Sequence, residues 1–131
     1  MAYQEKNFQR EFNKWCLYNL EDTSVFELKI TKGKSLPFFS VKKHQVNALL
    51  AARRDKIIYK IPDDAYDQKP FDSFLIAHSF AYIVILFYKP YKTKIFYMIG
   101  IENWIKEVEK SKRKSITQDR SRELGREEIL K

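Results

Sequence analysis

Residues 24–31 read Ser-Val-Phe-Glu-Leu-Lys-Ile-Thr, and their side chains alternate between apolar and mainly polar. Phe26, Leu28 and Ile30 fall on one face, and the residues between them fall on the other. Period-two alternation of this kind is typical of a half-buried β-strand. We therefore predict a strand over residues 24–31, around which the rest of the domain packs.

Glu27 and Lys29 stand two residues apart on the second face of this predicted strand. A carboxylate beside an ammonium group offers an oxygen ligand for a hard cation and a positive charge for a phosphate. Metal-dependent phosphodiester cleavage requires both groups. The alternative is an ordinary ion pair on a solvated edge strand, because Glu-x-Lys is common on strand surfaces.

Composition indicates one folded domain with a basic surface. The 131 residues are 44% hydrophobic and 15% aromatic, which is enough for a single core. A net charge of +8 favours a polyanionic partner, nucleic acid before an anionic membrane, although a merely soluble basic protein is the alternative. A single cysteine, Cys16, excludes an intramolecular disulfide and a cysteine-based zinc site and suggests a reducing, cytoplasmic compartment.

A first helix is predicted over residues 3–19, where Phe8, Phe12 and Trp15 recur at helical spacing. Glu11 lies between these apolar residues and therefore on the inward side of the helix. A carboxylate in that position needs a partner, either a cation in a structural ion pair or a metal.

The turn after the Glu27 strand is basic, and Lys32 and Lys34 are candidates for phosphate contacts. Ser40 is a candidate N-cap for a second helix that ends near residue 53 or 54. His44 and Gln45 fall in its early turns. For His44 the alternative is a surface or capping residue.

The remaining elements predict a mixed α/β fold in the order α-β-α-β-β-β-β-α, with hairpin connections that make much of the sheet antiparallel. The apolar run over residues 80–88 predicts a central strand covered on both faces, and the longer run 74–88 is too short and too β-branched to span a membrane. Further strands are predicted over residues 57–61, 72–76 and 94–101, and a helix from about residue 102.

Asp72 opens the strand predicted over residues 72–76 and shares a face with Phe74 and Ile76. Its carboxylate therefore stands at the end of a buried row. The alternative is a strand-end cap or turn residue.

Residues 1–110 are predicted to form the domain and residues 111–131 a charged, helical C-terminal tail, with Ser115 capping a last helix. At the start of this tail lies a basic cluster that is either a contact for a nucleic-acid backbone or a solvated segment. The cluster consists of Lys110, Lys112, Arg113 and Lys114.

A string of short motifs resembles a known family. The strand Glu27-Leu28-Lys29-Ile30-Thr31 is followed by Ser35-Leu36-Pro37-Phe38 and then by His44-Gln45 at the start of a helix. This order resembles the PD-(D/E)xK nuclease superfamily, and within it the RecU-type Holliday-junction resolvases and related phage and bacterial proteins. The likeness covers roughly residues 5 to 101.

The resemblance implies a restriction-endonuclease-like core and a Mg²⁺- or Mn²⁺-dependent endonuclease that acts on structured or branched DNA in recombination, as a homodimer. It makes Glu27 the metal-binding carboxylate and Lys29 the group that orients water or stabilises charge. Glu11 resembles the first-helix glutamate of the family, and Gln45 a polar residue near the site. The predicted nucleic-acid contacts are Lys32, Lys34, Lys42, Lys43 and His44.

The chain departs from the family at one position. The family carries an aspartate on the strand before Glu-x-Lys, whereas here only Glu21 and Asp22 precede it, in a short turn. We predict that Asp72 fills this place from a neighbouring strand, with Asp63 as the fallback. The predicted metal ligands are Glu27, Asp72 and Glu11.

Two other functions stay open at this point. One is a non-catalytic nucleic-acid-binding protein, or a subunit of a larger assembly, on the same scaffold. The other is an endonuclease that acts on RNA, although DNA is the preferred partner.

Overall fold

The structure is a computed structural model that describes residues 2–54, 56–60 and 73–130. The helices and strands within these residues follow closely the order predicted from the sequence up to residue 110. They are α1 Glu5–Asn19, β1 Ser24–Thr31, β2 Ser35–Pro37, a 3-10 turn Phe38–Ser40, α2 Lys43–Arg54, β3 Lys56–Lys60, β4 Ser73–Ala77, β5 Phe80–Phe87, β6 Lys94–Gly100, α3 Ile101–Lys110, β7 Ser115–Thr117, α4 Gln118–Leu124 and β8 Arg126–Leu130.

The main sheet has four strands in the order β1-β5-β6-β8. β1 runs parallel to β5, because α2 carries the chain back between them, and the β5–β6 and β6–β8 pairs are antiparallel. Most of β5 is buried, as its continuous apolar run predicted. The prediction of a mixed α/β fold is therefore confirmed.

Helices cover both faces of the main sheet. Phe8, Phe12 and Trp15 of α1 are buried on the face that carries Phe26 and Leu28, together with the even-numbered residues of β5 and β6. α2 and α3 cover the opposite face. The two-face alternation predicted for β1 is confirmed, and it places Glu27 on the side of α2.

β3 and β4 pair only with each other among the described residues, and they form a two-stranded antiparallel ribbon. Along the chain this ribbon comes after α2 and before β5. We predicted that the strand opened by Asp72 neighbours the Glu27 strand. β4 does not pair with β1 among the described residues, where β5 lies beside β1, and Asp72 itself lies outside them, so the placement of its carboxylate stays a prediction.

The C-terminal segment differs from the helical tail that we predicted. Ser115 begins a short strand rather than capping a helix, and the cap of α4 is Thr117, whose hydroxyl accepts a hydrogen bond from the Arg120 N–H at 3.2 Å. β8 then joins the main sheet beside β6. The buried Tyr97 hydroxyl donates to Glu127 of β8 at 2.8 Å, so the charged segment is held by the core.

Candidate functional site

Glu27 and Lys29 project from the middle of β1 toward α2, as the alternation predicted. Lys29 Nζ lies 3.4 Å from Glu27 Oε1, and the two side chains are 14% and 25% exposed, respectively. An ion pair at this depth is shielded from water on most sides but can still be reached by a ligand. The geometry therefore allows both an ordinary ion pair and a reactive one.

Gln45 joins these two residues from the first turn of α2. Its Oε1 accepts a hydrogen bond from the Lys42 backbone N–H at 2.8 Å. In a capping box the third helical residue makes this bond to the backbone of the N-cap residue. Because the amide oxygen is used there, the amide nitrogen faces the sheet and donates to Glu27 Oε1 at 2.8 Å. Gln45 therefore fixes the position of the Glu27 carboxylate.

This arrangement also revises how α2 begins. Ser40 was the predicted N-cap, but its hydroxyl donates to the Pro37 carbonyl oxygen at 2.7 Å within the 3-10 turn. The helix starts at Lys43, two residues later than a helix capped by Ser40 would. The later start puts Gln45 in the first turn, within reach of Glu27.

Glu27 and Gln45 border an open groove between β1 and α2, and Lys29 stands beside Glu27. The groove has a volume of about 590 Å³ and is lined by Glu27, His44, Gln45 and the apolar side of α2. His44 is exposed at the rim. Because Glu27 is partly exposed and lines the groove, its carboxylate is open to a molecule that enters there.

Glu11 lies on the other face of the sheet. Its carboxylate contacts Lys94 Nζ at 3.1 and 3.2 Å and accepts a hydrogen bond from the Tyr3 hydroxyl at 2.8 Å. The inward position predicted for Glu11 is confirmed, and its partner is a cation of β6. α1 covers the face that Glu27 does not use, so the structure does not bring these two carboxylates together.

Asp72 and Asp63 lie outside the described residues. Within the described residues, no group of three histidine, cysteine, aspartate or glutamate side chains could hold a metal ion. Both contacts that other described residues make with the Glu27 carboxylate go to Oε1, which leaves Oε2 for a ligand. One carboxylate fits a Mg²⁺ or Mn²⁺ ion whose remaining ligands are water and substrate phosphate.

All five predicted nucleic-acid contacts are exposed. Lys42, Lys43 and His44 lie beside this groove, whereas Lys32 and Lys34 lie on a separate turn. Lys32, Lys34 and Lys42 belong to a larger surface, the basic belt, made of residues 32–34, 38–42, 88–94 and 111–114, whereas Lys43 and His44 follow it on α2. Backbone hydrogen bonds join these segments, from Tyr88 N to Thr31 O at 2.8 Å and from Phe38 N to Lys114 O at 2.9 Å. The belt has no acidic residue, and its basic residues are Lys32, Lys34, Lys42, Lys89, Lys92, Lys94, Lys112, Arg113 and Lys114.

Sequence reasoning missed part of this surface. Lys89 and Lys92 come more than 50 positions after Lys34, and only the parallel pairing of β1 with β5 brings the two turns together. The signal available was the high density of lysine between two predicted strands. The belt borders the groove where Lys42 bonds Gln45.

Comparisons with protein-family models, with curated proteins and with solved structures gave no match to this chain. No described helix has the length and apolar character needed to cross a bilayer. The function is therefore inferred from the groove and the belt.

Proposed function

We propose that this chain is a divalent-metal-dependent endonuclease that hydrolyses phosphodiester bonds in nucleic acid, with structured or branched DNA as the preferred substrate. The observation that carries the proposal is the convergence of Glu27 and Gln45 on one open groove beside the basic belt, with Lys29 paired to Glu27. The order of helix, Glu-x-Lys strand, helix and parallel strand supports a restriction-endonuclease-like core.

Glu27 is the residue that would hold a Mg²⁺ or Mn²⁺ ion, through the oxygen that Gln45 and Lys29 leave available. When bound, such an ion activates water and stabilises the charge that develops on the phosphate. Asp72 and Asp63 are the candidates for a second carboxylate. Glu11 is not part of the proposed site, because Lys94 engages it on the opposite face.

Lys29 and Gln45 have distinct tasks in the groove. An ammonium group has three donors, and Lys29 pairs with Glu27 as a salt bridge at 3.4 Å, so its donors can bind a phosphate oxygen or the attacking water. Gln45 holds the carboxylate in one orientation, which lowers the entropy that must be lost when the substrate binds. The belt binds neighbouring phosphates and thereby fixes the position of the backbone.

The test compares the wild type with Glu27→Gln on radiolabelled single strands, duplexes, four-way junctions and an RNA hairpin, with Mn²⁺ or with EDTA. We expect Glu27→Gln to lower the cleavage rate by roughly 100-fold or more, since the metal-binding carboxylate is lost. Binding in EDTA should stay within about 3-fold, because phosphate contacts dominate affinity. Glu102→Gln is the matched control, because Glu102 pairs with Arg53 away from the groove.

Cleavage that persists in Glu27→Gln would overturn the assignment. A wild type that binds nucleic acid equally well with and without metal, and leaves it uncut, would favour the second candidate, a non-catalytic binding protein. The observation in favour of that candidate is the single carboxylate that the described residues bring to the groove.

A further inference from the structure

One aromatic side chain of the basic belt is presented to solvent without support from the core. Tyr91 is fully exposed at the tip of the turn between β5 and β6. The turn is closed by a hydrogen bond from Lys92 N to Lys89 O at 3.3 Å. A tyrosine that buries nothing gains no stability from its ring, so packing does not explain its presence there.

The backbone at Tyr91 strengthens this point. Its φ is 60°, in the left-handed region that glycine and asparagine occupy more readily. A Cβ in this region lies close to the backbone carbonyl oxygen, so a tyrosine there is strained. The turn therefore keeps a strained residue whose ring contributes only to the surface.

The tyrosines beneath the turn behave differently. Tyr3 and Tyr88 stack with their ring centroids 4.5 Å apart and their planes at 8°. Lys94 and Lys32 lie over the outer faces of this pair, at 4.5 and 5.9 Å from the centroids. These rings are used in packing and give the turn a rigid base, whereas Tyr91 projects beyond it.

The charges around Tyr91 identify the kind of partner. Lys89 and Lys92 flank it, and Lys32 and Lys34 belong to the adjoining turn. None of these four lysines forms an ion pair with another described residue. A second exposed ring of the belt, Phe39, is 74% exposed with Lys42 Nζ 5.7 Å from its centroid.

We propose that the basic belt binds a single-stranded segment of nucleic acid, with one base stacked on Tyr91 and the flanking phosphates on Lys89, Lys92, Lys32 and Lys34. Lysines interleaved with exposed aromatic rings are the arrangement that single strands use, because every unpaired base offers a π-face. In a duplex the base faces are stacked on one another and closed to a ring at a turn tip. The inference rests on the proposed function for the class of partner and goes further by naming the unpaired strand and its contact.

The experiment measures binding by fluorescence anisotropy with a 12-nucleotide single strand and with the matching duplex, in EDTA so that no cleavage intervenes. Tyr91→Leu removes the π-face but keeps an apolar side chain, and Tyr91→Phe keeps the ring. We expect Tyr91→Leu to weaken single-strand binding by about 5- to 150-fold, the range for loss of one stacked base. Tyr91→Phe should stay within about 2-fold of the wild type, since stacking needs only the ring.

Tyr18→Leu is the matched control, because Tyr18 is also highly exposed but lies on α1 outside the belt. Equal binding by Tyr91→Leu and the wild type would overturn the inference, as would a wild-type preference for the duplex. Tyr91-dependent binding to phosphatidylserine vesicles, with no loss on the single strand, would replace the nucleic acid with a lipid surface. If Glu27→Gln still cleaves nucleic acid while Tyr91→Leu weakens single-strand binding, only the proposed catalytic role of Glu27 is removed.

Discussion

Replacing Gln45 with glutamate tests the geometry of the proposed site directly. In Gln45→Glu one oxygen still accepts the Lys42 N–H, so the cap of α2 is retained. The other oxygen replaces the amide nitrogen that now lies 2.8 Å from Glu27 Oε1. A favourable hydrogen bond therefore becomes a contact between two carboxylates.

The size of the effect follows from the exposure of the site. Two unit charges about 4 Å apart repel by roughly 1 kcal/mol in water and roughly 4 kcal/mol at the dielectric constant near a protein surface. Glu27 is 25% exposed, and Lys29 offsets part of the repulsion. We expect a loss of about 1–3 kcal/mol in the free energy of unfolding, which lowers Tm by about 4–12 °C in a domain of this size.

Divalent metal should reverse this loss, because two adjacent carboxylates form a better cation site than one. At 100 times its Kd, Mn²⁺ adds about 2.7 kcal/mol to the stability of the folded state. The assay is thermal unfolding followed by circular dichroism, with Mn²⁺ or with EDTA. Gln45→Met is the control, since it loses the hydrogen bonds without adding a charge and should gain less stability from Mn²⁺ than Gln45→Glu.

Two results would refute the reasoning. A Gln45→Glu variant as stable as the wild type in EDTA would mean that Gln45 and Glu27 do not meet. An unstable variant that Mn²⁺ does not rescue would mean that the groove cannot accept a cation beside Glu27.

Three further substitutions test the placement of residues around the site and in the fold. Glu11→Gln should keep the cleavage rate within about 2-fold of the wild type and lower the free energy of unfolding by about 1 kcal/mol or less, because it breaks only the partly exposed pair with Lys94. A cleavage rate lowered by more than about 10-fold would instead place Glu11 in the catalytic site. Gly125→Ala should destabilise the domain by about 1–3 kcal/mol, because its Cβ would lie 2.5 Å from the Met98 carbonyl oxygen. Gly33→Ala, whose Cβ would come no closer than 3.8 Å to Thr31 Oγ1, should change stability in urea unfolding by less than about 0.5 kcal/mol, and equal effects at both glycines would contradict the position of β8.

Local pattern was sufficient for most elements up to residue 110 and for the faces of β1. The alternation over residues 24–31 has a period of two, so it defines which residues share a face before any tertiary contact exists. The same reasoning placed Phe8, Phe12 and Trp15 in the core and predicted an inward Glu11. The side-by-side position of Glu27 and Lys29 followed from their spacing alone.

Pairing between distant segments could not be read from the sequence. Whether β4 or β5 lies beside β1 depends on competition between strands of different length and apolar content, which no local pattern encodes. The strand Arg126–Leu130 has a charged sequence, and its place at the sheet edge depends on contacts with β6 such as that from Tyr97 to Glu127. These choices are made by the whole core.

The sequence by itself determined the chemistry of the site, because Glu27, Lys29 and Gln45 carry their groups wherever the chain folds. Only the tertiary structure decided which groups meet. It separated Glu11 from Glu27 by placing α1 and α2 on opposite faces of the sheet, and it joined two lysine-rich turns into one surface through the parallel pair β1–β5. The physical reason is that side-chain direction is a local property of a strand, whereas proximity depends on the packing of all its neighbours.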